Sequence, residues 1–324
     1  MSSNNTVETG AAPAPASPTD IVIATRQSPL ALWQAEHVRA RLRALAPGAS
    51  VELLGMTTEG DRRLGVKLAA IGGKGLFVKE LEQAMLEGRA HLAVHSMKDV
   101  PAELPDGFVL AAIMARADVR DALVSREGYT LDSLPRGARV GTSSLRRRAQ
   151  LLLRRPDLVI VDVRGNVGTR MGRIDSGDVD AVVLAHAGLE RLGMTSHVMV
   201  SLPVDASLPA GGQGALGIET RSDAKEIRDL VARLADAGTT RCVNAEREVG
   251  RILGGGCTMP LGAYAEEAAD GTLHLRALLA EPDGGKVLRA EARGADALAL
   301  GGEVAAALRA QGADAILAAL AAGS

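Results

Sequence analysis

The sequence predicts an α/β protein with two successive α/β domains and a small α+β domain at the C-terminal end. The chain has 324 residues, more than one hydrophobic core usually serves, so several domains are expected. Short, almost wholly apolar segments alternate with longer amphipathic ones, which is typical of a parallel sheet covered by helices on both faces. The same alternation restarts near the middle of the chain, which indicates a second domain of the same kind.

The first domain is predicted from its strand and helix signals. IVIAT at 21–25 has the composition of a buried strand, and Ser28 followed by Pro29 provides a helix N-cap with proline at the first helical position. The helix continues through LALWQAEHVRARLRAL. VELLGMTT is predicted as a strand, IGGKGLFVKELEQAMLEG as a glycine-rich turn and a helix that ends at Gly88, and HLAVHS as a third strand.

The second domain repeats this scheme, with predicted helices over 167–174 and 187–192 and strands in DLVIVDV and DAVVLA. ATRQSPLALWQ at 24–34 and GTSSLRRRAQ at 141–150 both place Thr and Ser between a strand and a helix, so two helix N-termini are expected to face one ligand. After the strand ALGIET, two helical stretches lead to the loop GGGCTMP, the strands GAYAEE and LHLRALLAEP, and an Ala-rich helical end. The expected domains are 20–116 with 213–234, then 117–212, then 237–324.

Composition limits the function classes. The chain has 37 basic and 39 acidic residues, two Phe, two Tyr and one Trp, so neither a basic surface nor aromatic stacking supports nucleic-acid binding. Since no apolar run approaches the roughly 20 residues that span a bilayer, no membrane partner is expected. The two cysteines lie neither in a CxxC motif nor at ligand spacing from a histidine, so no metal site is predicted. Residues 1–19 lack signal-peptide features, which predicts a disordered tail on a cytoplasmic protein.

An anion site is predicted where the second domain begins. GTSSLRRRAQ places Thr142, Ser144 and three arginines, 146–148, at a helix N-terminus, which suits carboxylates or phosphates. Arg164 and Arg170 lie at the next strand-to-helix junction. The alternative is that the three arginines form a solvated helix face. Their place at the carboxyl ends of strands, where open α/β sheets bind ligands, favours anion binding.

HSMKDVP at 95–101 leaves the end of the third strand. In one interpretation Asp99 enters a basic cleft, stays ionised and stabilises an N–H donor or a developing cation. In the other, Asp99 and Lys98 form a salt-bridged turn pair before Pro101. His95 is expected to be a packed or hydrogen-bonded strand-end residue and not a general base.

Two loops carry further candidates. Gly72-Gly73-Lys74-Gly75 lacks Walker spacing, so a plain turn and a mobile loop with one lysine stay open as alternatives. Cys257 follows three glycines and precedes Thr258-Met259-Pro260, so its thiol is expected to be accessible for covalent attachment. Cys242 lies within a helical pattern and fits a buried, inert thiol.

Several segments together resemble the porphobilinogen deaminase family, in order and spacing, from residue 21 to about 290. They are IATRQSPLALWQ (23–34), GGKGLFVKELE (72–82), AVHSMKDVP (93–101), VGTSSLRRRAQL (140–151), RGNVGTR (164–170), LPAGGQGALGIE (208–219) and GGGCTMPLGAY (254–264).

The resemblance implies two doubly wound α/β domains built like a two-lobed periplasmic binding protein, with the cleft between them, and a small α+β third domain. This third domain would carry a dipyrromethane cofactor as a thioether on Cys257. The family's reaction, that of hydroxymethylbilane synthase, removes ammonia from porphobilinogen to give an azafulvene that the growing chain attacks. Four rounds give an enzyme-bound hexapyrrole, and hydrolysis releases hydroxymethylbilane for haem biosynthesis. Because every pyrrole carries an acetate and a propionate, the arginines would neutralise a lengthening polyanion.

The resemblance also implies a role for individual residues. Asp99 would be the catalytic carboxylate. The cofactor would be held by Cys257, Lys98, Ser28, Thr142, Ser144, Arg146, Arg147 and Arg170, and the substrate by Arg26, Arg164, Arg170, Arg191 and Lys74. Lys74 and Phe77 match a mobile loop. Ala69-Ala70 departs from a common Ala-Lys pattern there, so a second loop lysine is missing, and Lys67 is assigned no role.

Two other function classes stay open from the residues alone. A two-lobed protein with an arginine-lined cleft also suits a solute-binding protein for organic anions, and the Lys74 loop suits a nucleotide-dependent transferase. A covalent dipyrromethane, visible in the intact mass, would distinguish a deaminase from a binding protein. Porphobilinogen is the expected substrate partner, and the expected oligomeric state is a monomer.

Overall fold

The computed structural model describes residues 20–58, 78–254 and 259–322. Within them lie two five-stranded sheets and one three-stranded sheet. The predicted tail at 1–19, the loop residues Lys74 and Phe77, and Cys257 lie outside the described residues. The sequence expectations for these positions therefore stay predictions.

The first sheet has the strand order β2-β1-β3-β10-β4. β1 pairs in parallel with both β2 and β3, whereas β10 is antiparallel to β3 and β4. Helices α1, α2 and α6 connect or follow these strands. The bounds are β1 Asp20–Arg26, α1 Pro29–Leu45, β2 Ser50–Met56, α2 Lys79–Leu86, β3 Leu92–Ser96, β4 Phe108–Ile113, β10 Leu216–Arg221 and α6 Lys225–Ala232.

The second sheet has the strand order β7-β6-β8-β5-β9. β6 is parallel to β7 and β8, and β5 is antiparallel to β8 and β9. The bounds are β5 Asp121–Ser125, β6 Arg139–Gly141, α3 Leu145–Arg154, β7 Val159–Val161, α4 Val167–Asp175, β8 Ala181–Ala185, α5 His186–Arg191 and β9 Val198–Ser201.

The two sheets repeat one topology. In each, the first parallel strand lies between the second and the third, and an antiparallel strand separates the third from the fourth. β5 and β10 are these antiparallel strands, and each follows a segment that leaves the other sheet. The chain therefore crosses twice between the sheets, near 114–120 and 202–215. This α/β arrangement confirms the predicted fold class. The strand membership supports the predicted domain boundaries, which stay predictions.

The helix N-termini that the sequence singled out form as expected. The Ser28 side chain accepts a hydrogen bond from the Ala31 amide at the start of α1, and the Ser144 side chain accepts one from the Arg147 amide at the start of α3. α1 follows β1 and α3 follows β6, which are topologically equivalent strands. The similar segments 24–34 and 141–150 thus occupy equivalent strand-to-helix junctions in the two sheets.

The C-terminal domain packs helices on an antiparallel sheet of order β11-β12-β13. Its core includes Leu275, Val249, Val304 and Cys242. Cys242 is buried, as predicted, and burial raises the pKa of its thiol to about 11, which disfavours the reactive thiolate. The bounds are α7 Ala237–Ile252, β11 Leu261–Glu267, β12 Leu273–Ala280, β13 Val287–Gly294, α8 Ala297–Ala310 and α9 Ala313–Ala322. β13 was not predicted.

In the part of the chain that the structure describes, no single helix is long and apolar enough to cross a membrane. α8 and α9 reach that length and hydropathy only together, across a bend of 78°. Both helices bury apolar side chains, including Leu308 and Ile316, in the core of the C-terminal domain.

Candidate active site

Asp99 lies on a short 3-10 turn, Met97–Asp99, at the carboxyl end of β3. The Met97 amide donates to the Ala215 carbonyl over 3.0 Å. Gly212, with φ of +75°, lies so close that a Cβ there would be 2.7 Å from Met97 Cβ. The turn is therefore held against the segment that returns from the second sheet, and glycine is required at 212. Met97 is buried, while the Asp99 side chain is exposed.

Lys98 is surrounded by other charged groups. Burial lowers the pKa of its ammonium to about 8; Asp99 and Asp121 oppose this shift, whereas Arg147 and Arg146 add to it. The structure contains no ion pair between Lys98 and Asp99, so the alternative of a salt-bridged turn pair is wrong in the described conformation. Lys98 instead contributes a cation to a cluster that includes residues of the second sheet.

Arg146 and Arg147 are buried at the start of α3, so the alternative of a solvated helix face fails for both. Both bind Asp121, the first residue of β5. Arg146 Nη1 lies 2.8 Å from Asp121 Oδ2, and Arg147 donates to Oδ1 from Nε at 3.0 Å and from Nη2 at 2.8 Å. Arg146 Nη1 also donates to the Leu208 carbonyl at 2.6 Å. Arg148 is exposed.

Asp121 is fully buried, directly follows the first crossing segment, and its side chain binds two residues of the second crossing segment, 202–215. Ser207 Oγ donates to its Oδ2 at 2.7 Å, and Gln213 Nε2 to its Oδ1 at 3.0 Å. Burial alone would raise the pKa of this carboxyl, but Arg146 and Arg147 outweigh burial and hold the pKa well below its usual range. Sequence reasoning missed Asp121, although a carboxylate that begins the apolar strand DALVS is itself a signal of a buried charge pair.

The hydroxyls predicted to hold anions act locally in this structure. The Ser144 side chain accepts from the Arg147 amide at 3.4 Å, and Thr142 Oγ1 accepts from the Ser144 amide at 3.2 Å. Thr142 is buried. These contacts fix the backbone at the N-terminus of α3, from which Arg146 and Arg147 project.

Arg170 and Arg164 come from the junction between β7 and α4. Arg170 Nε donates to the Gly165 carbonyl at 2.8 Å, and its pKa is lowered by burial and by Arg147, while Asp99 opposes the shift. Arg170 is thus within electrostatic range of both Asp99 and Arg147. Arg164 Nε lies 3.0 Å from Asp162 Oδ2.

Two further predicted substrate residues, Arg26 and Arg191, lie at the ends of other elements. Arg26 ends β1 and is partly buried. Arg191, at the end of α5, donates to the Gly214 carbonyl at 2.7 Å, and its guanidinium carbon lies 5.5 Å from the Trp33 ring centroid. Arg191 therefore links the second sheet's helix α5 to α1 and to the returning segment.

Two protein-family models match the sequence of this chain. Residues 21–229 match a model described as "Porphobilinogen deaminase, dipyromethane cofactor binding domain", and residues 240–310 match "Porphobilinogen deaminase, C-terminal domain". The chain belongs to the porphobilinogen deaminase family. Membership confirms the resemblance seen in the sequence, and dipyrromethane is the cofactor of this family's binding domain.

Porphobilinogen deaminases from other bacteria are similar to this chain over most of its length. A porphobilinogen deaminase from Acidithiobacillus ferrooxidans is 57% identical over 300 residues, which is 93% of this chain and 98% of that protein. One from Bordetella parapertussis is 56% identical over 302 residues, 93% of this chain and 96% of that protein. Among solved structures, the Escherichia coli periplasmic aliphatic sulphonate binding protein SsuA shares 12% identity with a TM-score of 0.41, over 72% of this chain and 70% of its own.

The described residues fit a porphobilinogen deaminase cofactor that bears several carboxylates. Lys98 and Arg170 each lie within electrostatic range of Arg147, and Asp121 is the carboxylate that Arg146 and Arg147 share. The cluster therefore keeps positive charge for anionic ligands. Among the described residues, no group of His, Cys, Asp and Glu side chains could hold a metal ion.

Two titratable groups of the first sheet and one of helix α2 lie close together. His95 Nε2 is 2.7 Å from Glu219 Oε2, and both residues are buried, so His95 is a hydrogen-bonded strand-end residue, as predicted. The neighbouring Glu82 of α2 is also buried. Burial, and then the nearby Glu219, raise the pKa of Glu82 to about 7.

Proposed function

We propose that the cleft binds porphobilinogen and condenses four molecules of it head to tail, as its family does, with release of ammonia and hydroxymethylbilane. The observation that carries this proposal is the exposed Asp99 carboxylate among the cations Lys98, Arg147 and Arg170. A cationic cluster attracts the acetate and propionate groups of pyrroles, while one carboxylate within it stabilises a pyrrole that becomes positively charged.

Each residue has a distinct proposed task. Lys98, Arg146, Arg147 and Arg170, with the α1 and α3 N-termini at Ser28, Thr142 and Ser144, hold the cofactor carboxylates. Arg26, Arg164, Arg170, Arg191 and Lys74 hold those of the substrate. Bound through a thioether at Cys257, the dipyrromethane supplies the free pyrrole α-carbon to which the first substrate is joined.

Asp99 is proposed to act on the substrate pyrrole. Its carboxylate accepts the pyrrole N–H and stabilises the positive charge that develops as the C–N bond to ammonia breaks. The α-carbon of the terminal ring of the bound chain would then form the new C–C bond to this methylene carbon, and that attacking ring would lose its α-proton. Interactions of this kind count most when they strengthen as charge develops.

Replacement of Asp99 by Asn tests this role. Asn keeps the size and removes the charge, so the protein should fold normally while single-turnover consumption of porphobilinogen by cofactor-loaded enzyme falls by about two orders of magnitude. Asp99→Glu should keep the charge but misplace it, which leaves slow turnover. Near-normal condensation by the Asn variant would remove Asp99 from the mechanism.

Replacement of the cysteines tests the attachment site. Cys257→Ser should abolish the covalent dipyrromethane in the intact mass spectrum, because a hydroxyl is a much weaker nucleophile than a thiolate. Cys242→Ser should retain the cofactor, since this thiol is buried in the C-terminal core. Full cofactor loading in the Cys257 variant would refute the assignment.

We further propose that the protein is a cytoplasmic monomer that binds neither nucleic acid nor membranes. The net charge of −2 and the low aromatic content support the absence of a nucleic-acid partner. Size-exclusion chromatography with light scattering would test the monomer.

A further inference from the structure

Arg247 of helix α7 clamps the backbone that follows Asp99. Its Nη1 donates to the Val100 carbonyl at 3.2 Å, and its Nη2 donates to the carbonyls of Pro101 at 2.7 Å and Ala102 at 3.0 Å. One guanidinium from the C-terminal part of the chain thus binds three consecutive carbonyls of the first domain.

These contacts are unusual for a partly buried cation. Burial lowers the pKa of Arg247, and within the described residues no carboxylate forms an ion pair with it. Most buried charges in proteins are paired with an opposite charge. Because Arg247 donates charge-assisted hydrogen bonds to three backbone carbonyls, its contacts define the path of the backbone at 100–102.

The Asp99 side chain needs such a constraint. Its carboxylate is exposed and forms no hydrogen bond with any described residue, so the path of the backbone largely determines where it lies relative to Lys98 and Arg170. Before Asp99, the turn is fixed by the Met97 amide bonded to Ala215 and by the close approach of Gly212. After Asp99, the contacts with Arg247 supply the second fixed point.

The residue before Arg247, Glu246, binds helix α7 to the segment 202–215, which returns from the second sheet to the first. Glu246 is buried and accepts from Arg116 Nη1 at 2.6 Å and Nη2 at 3.0 Å, and from the Gly212 amide at 2.7 Å. Gly212 in turn packs on Met97. Both sides of the Asp99 turn therefore depend on one turn of α7, the helix that leads toward the Cys257 loop.

We propose that Arg247 is a positioning residue that sets the Asp99 carboxylate against the reacting pyrrole. The inference rests on the proposed role of Asp99. A displacement of about 1 Å in a catalytic group can lower a rate by about a hundredfold. Loss of the clamp therefore acts on the chemical step, while the arginines that hold the carboxylates of the substrate are unchanged.

A double-mutant cycle with Asp99 tests the proposal. Arg247→Met keeps an unbranched apolar chain and removes the two nitrogen atoms that donate the three hydrogen bonds. In cofactor-loaded enzyme, normalised by intact mass, we expect its single-turnover rate to fall about tenfold or more with little change in KM. Arg247→Lys should recover part of the rate. In the Asp99→Asn background, Arg247→Met should change the rate less than about twofold.

Arg251→Met is the matched control. Arg251 lies one turn further along α7, is exposed, and pairs with Glu248 on the surface, so its loss should leave the rate unchanged. An equal fold-loss from Arg247→Met in both backgrounds would overturn the proposal, because the effect would not pass through Asp99. A normal rate for Arg247→Met alone would overturn it too. A normal rate for Asp99→Asn would instead refute the proposed role of Asp99, and the positioning role with it.

Discussion

Asp121→Asn is the substitution whose effect follows most directly from the structure. The parent carboxylate is fully buried and accepts from Arg146, Arg147, Ser207 and Gln213. Asn keeps the size and one oxygen, so the contacts with Ser207 and Gln213 can survive in part. The two guanidiniums, however, lose the one carboxylate that they share.

The cost comes mainly from the buried charges that remain. Removal of one partner of a buried ion pair typically destabilises a protein by about 3–5 kcal/mol, against a total stability of about 5–15 kcal/mol. For a domain of this size, that loss corresponds to a melting temperature lower by about 6–20 °C. Asp121→Asn should therefore fold at room temperature but unfold well below the parent.

The effect should depend on pH in a defined direction. The pKa of Asp121 is lowered by folding, so its contribution is fully present above the unfolded pKa of about 3.9 and is lost as the pH falls through the folded value. The difference between parent and variant should thus stay constant from pH 8 to about pH 4 and shrink only below it.

Denaturant unfolding at pH 7 and pH 4 measures this difference. Asp223→Asn is the control, because Asp223 pairs with Arg221 at an exposed site, where ion pairs contribute little. An unfolding free energy for Asp121→Asn equal to that of the parent at pH 7 would show that the buried pair is not needed. Equal losses in Asp121→Asn and Asp223→Asn would show that the loss of any aspartate destabilises the fold.

Three more predictions concern the neighbouring charges. Arg147→Leu should lower the fraction of protein that carries the cofactor, as measured by intact mass. Arg148→Leu, at an exposed position of the same helix, should leave this fraction unchanged. An equal loss of cofactor in both variants would argue against a specific anion site. Loading of the protein with dipyrromethane should fall as the pH rises through about 8, because Lys98 loses its proton there, and Lys98→Arg should flatten this dependence in a pH series of the cofactor-loaded fraction measured by intact mass. The pKa of Glu82 is raised to about 7, so this residue should destabilise the fold increasingly as the pH rises from about 4.5 to 7. Glu82→Gln should therefore be more stable than the parent at pH 8 by about 1–3 kcal/mol, and not at pH 4. Urea unfolding at both pH values measures this difference, and an equal difference at the two pH values would contradict the prediction.

The sequence predicts the ends of helices well where the end depends on a single residue, such as a capping serine or a glycine with positive φ. Ser28 and Ser144 cap helices because a short hydroxyl side chain can accept from the free amides of a first turn. Gly88 ends α2 with a positive φ, which favours glycine. Each signal depends only on a few neighbouring residues, so it is visible without the fold.

Pairing between segments is harder to predict. In β13, VLRAEARG, apolar residues alternate with exposed charged ones, a pattern that indicates a half-buried strand but does not show its partner. The backbone of β13 pairs with the preceding strand, β12, over eight residue pairs from Leu273 to Ala280. The partner strand is thus visible only in the sheet.

The candidate site shows the same limit in its charges. The sequence places Arg146 and Arg147 at a helix N-terminus, but it does not reveal that Asp121, at the start of another strand, binds both. That carboxylate comes next to α3 only because β5 crosses into the second sheet antiparallel to β8. The arginines that we propose to bind cofactor carboxylates therefore also hold the second sheet to the crossing segment at 202–215.

This double use of the arginines limits how the cleft can hold a growing chain. Two guanidiniums that share one buried carboxylate keep a net charge of one, so Arg146 and Arg147 together neutralise about one further carboxylate. Each added pyrrole brings two more. Later rings must then be neutralised by cations elsewhere, and Arg26, Arg164 and Arg191 lie at three other strand or helix ends. Substitutions at these positions should therefore affect later condensations more than cofactor binding, whereas those at Arg147 and Lys98 should affect the cofactor first.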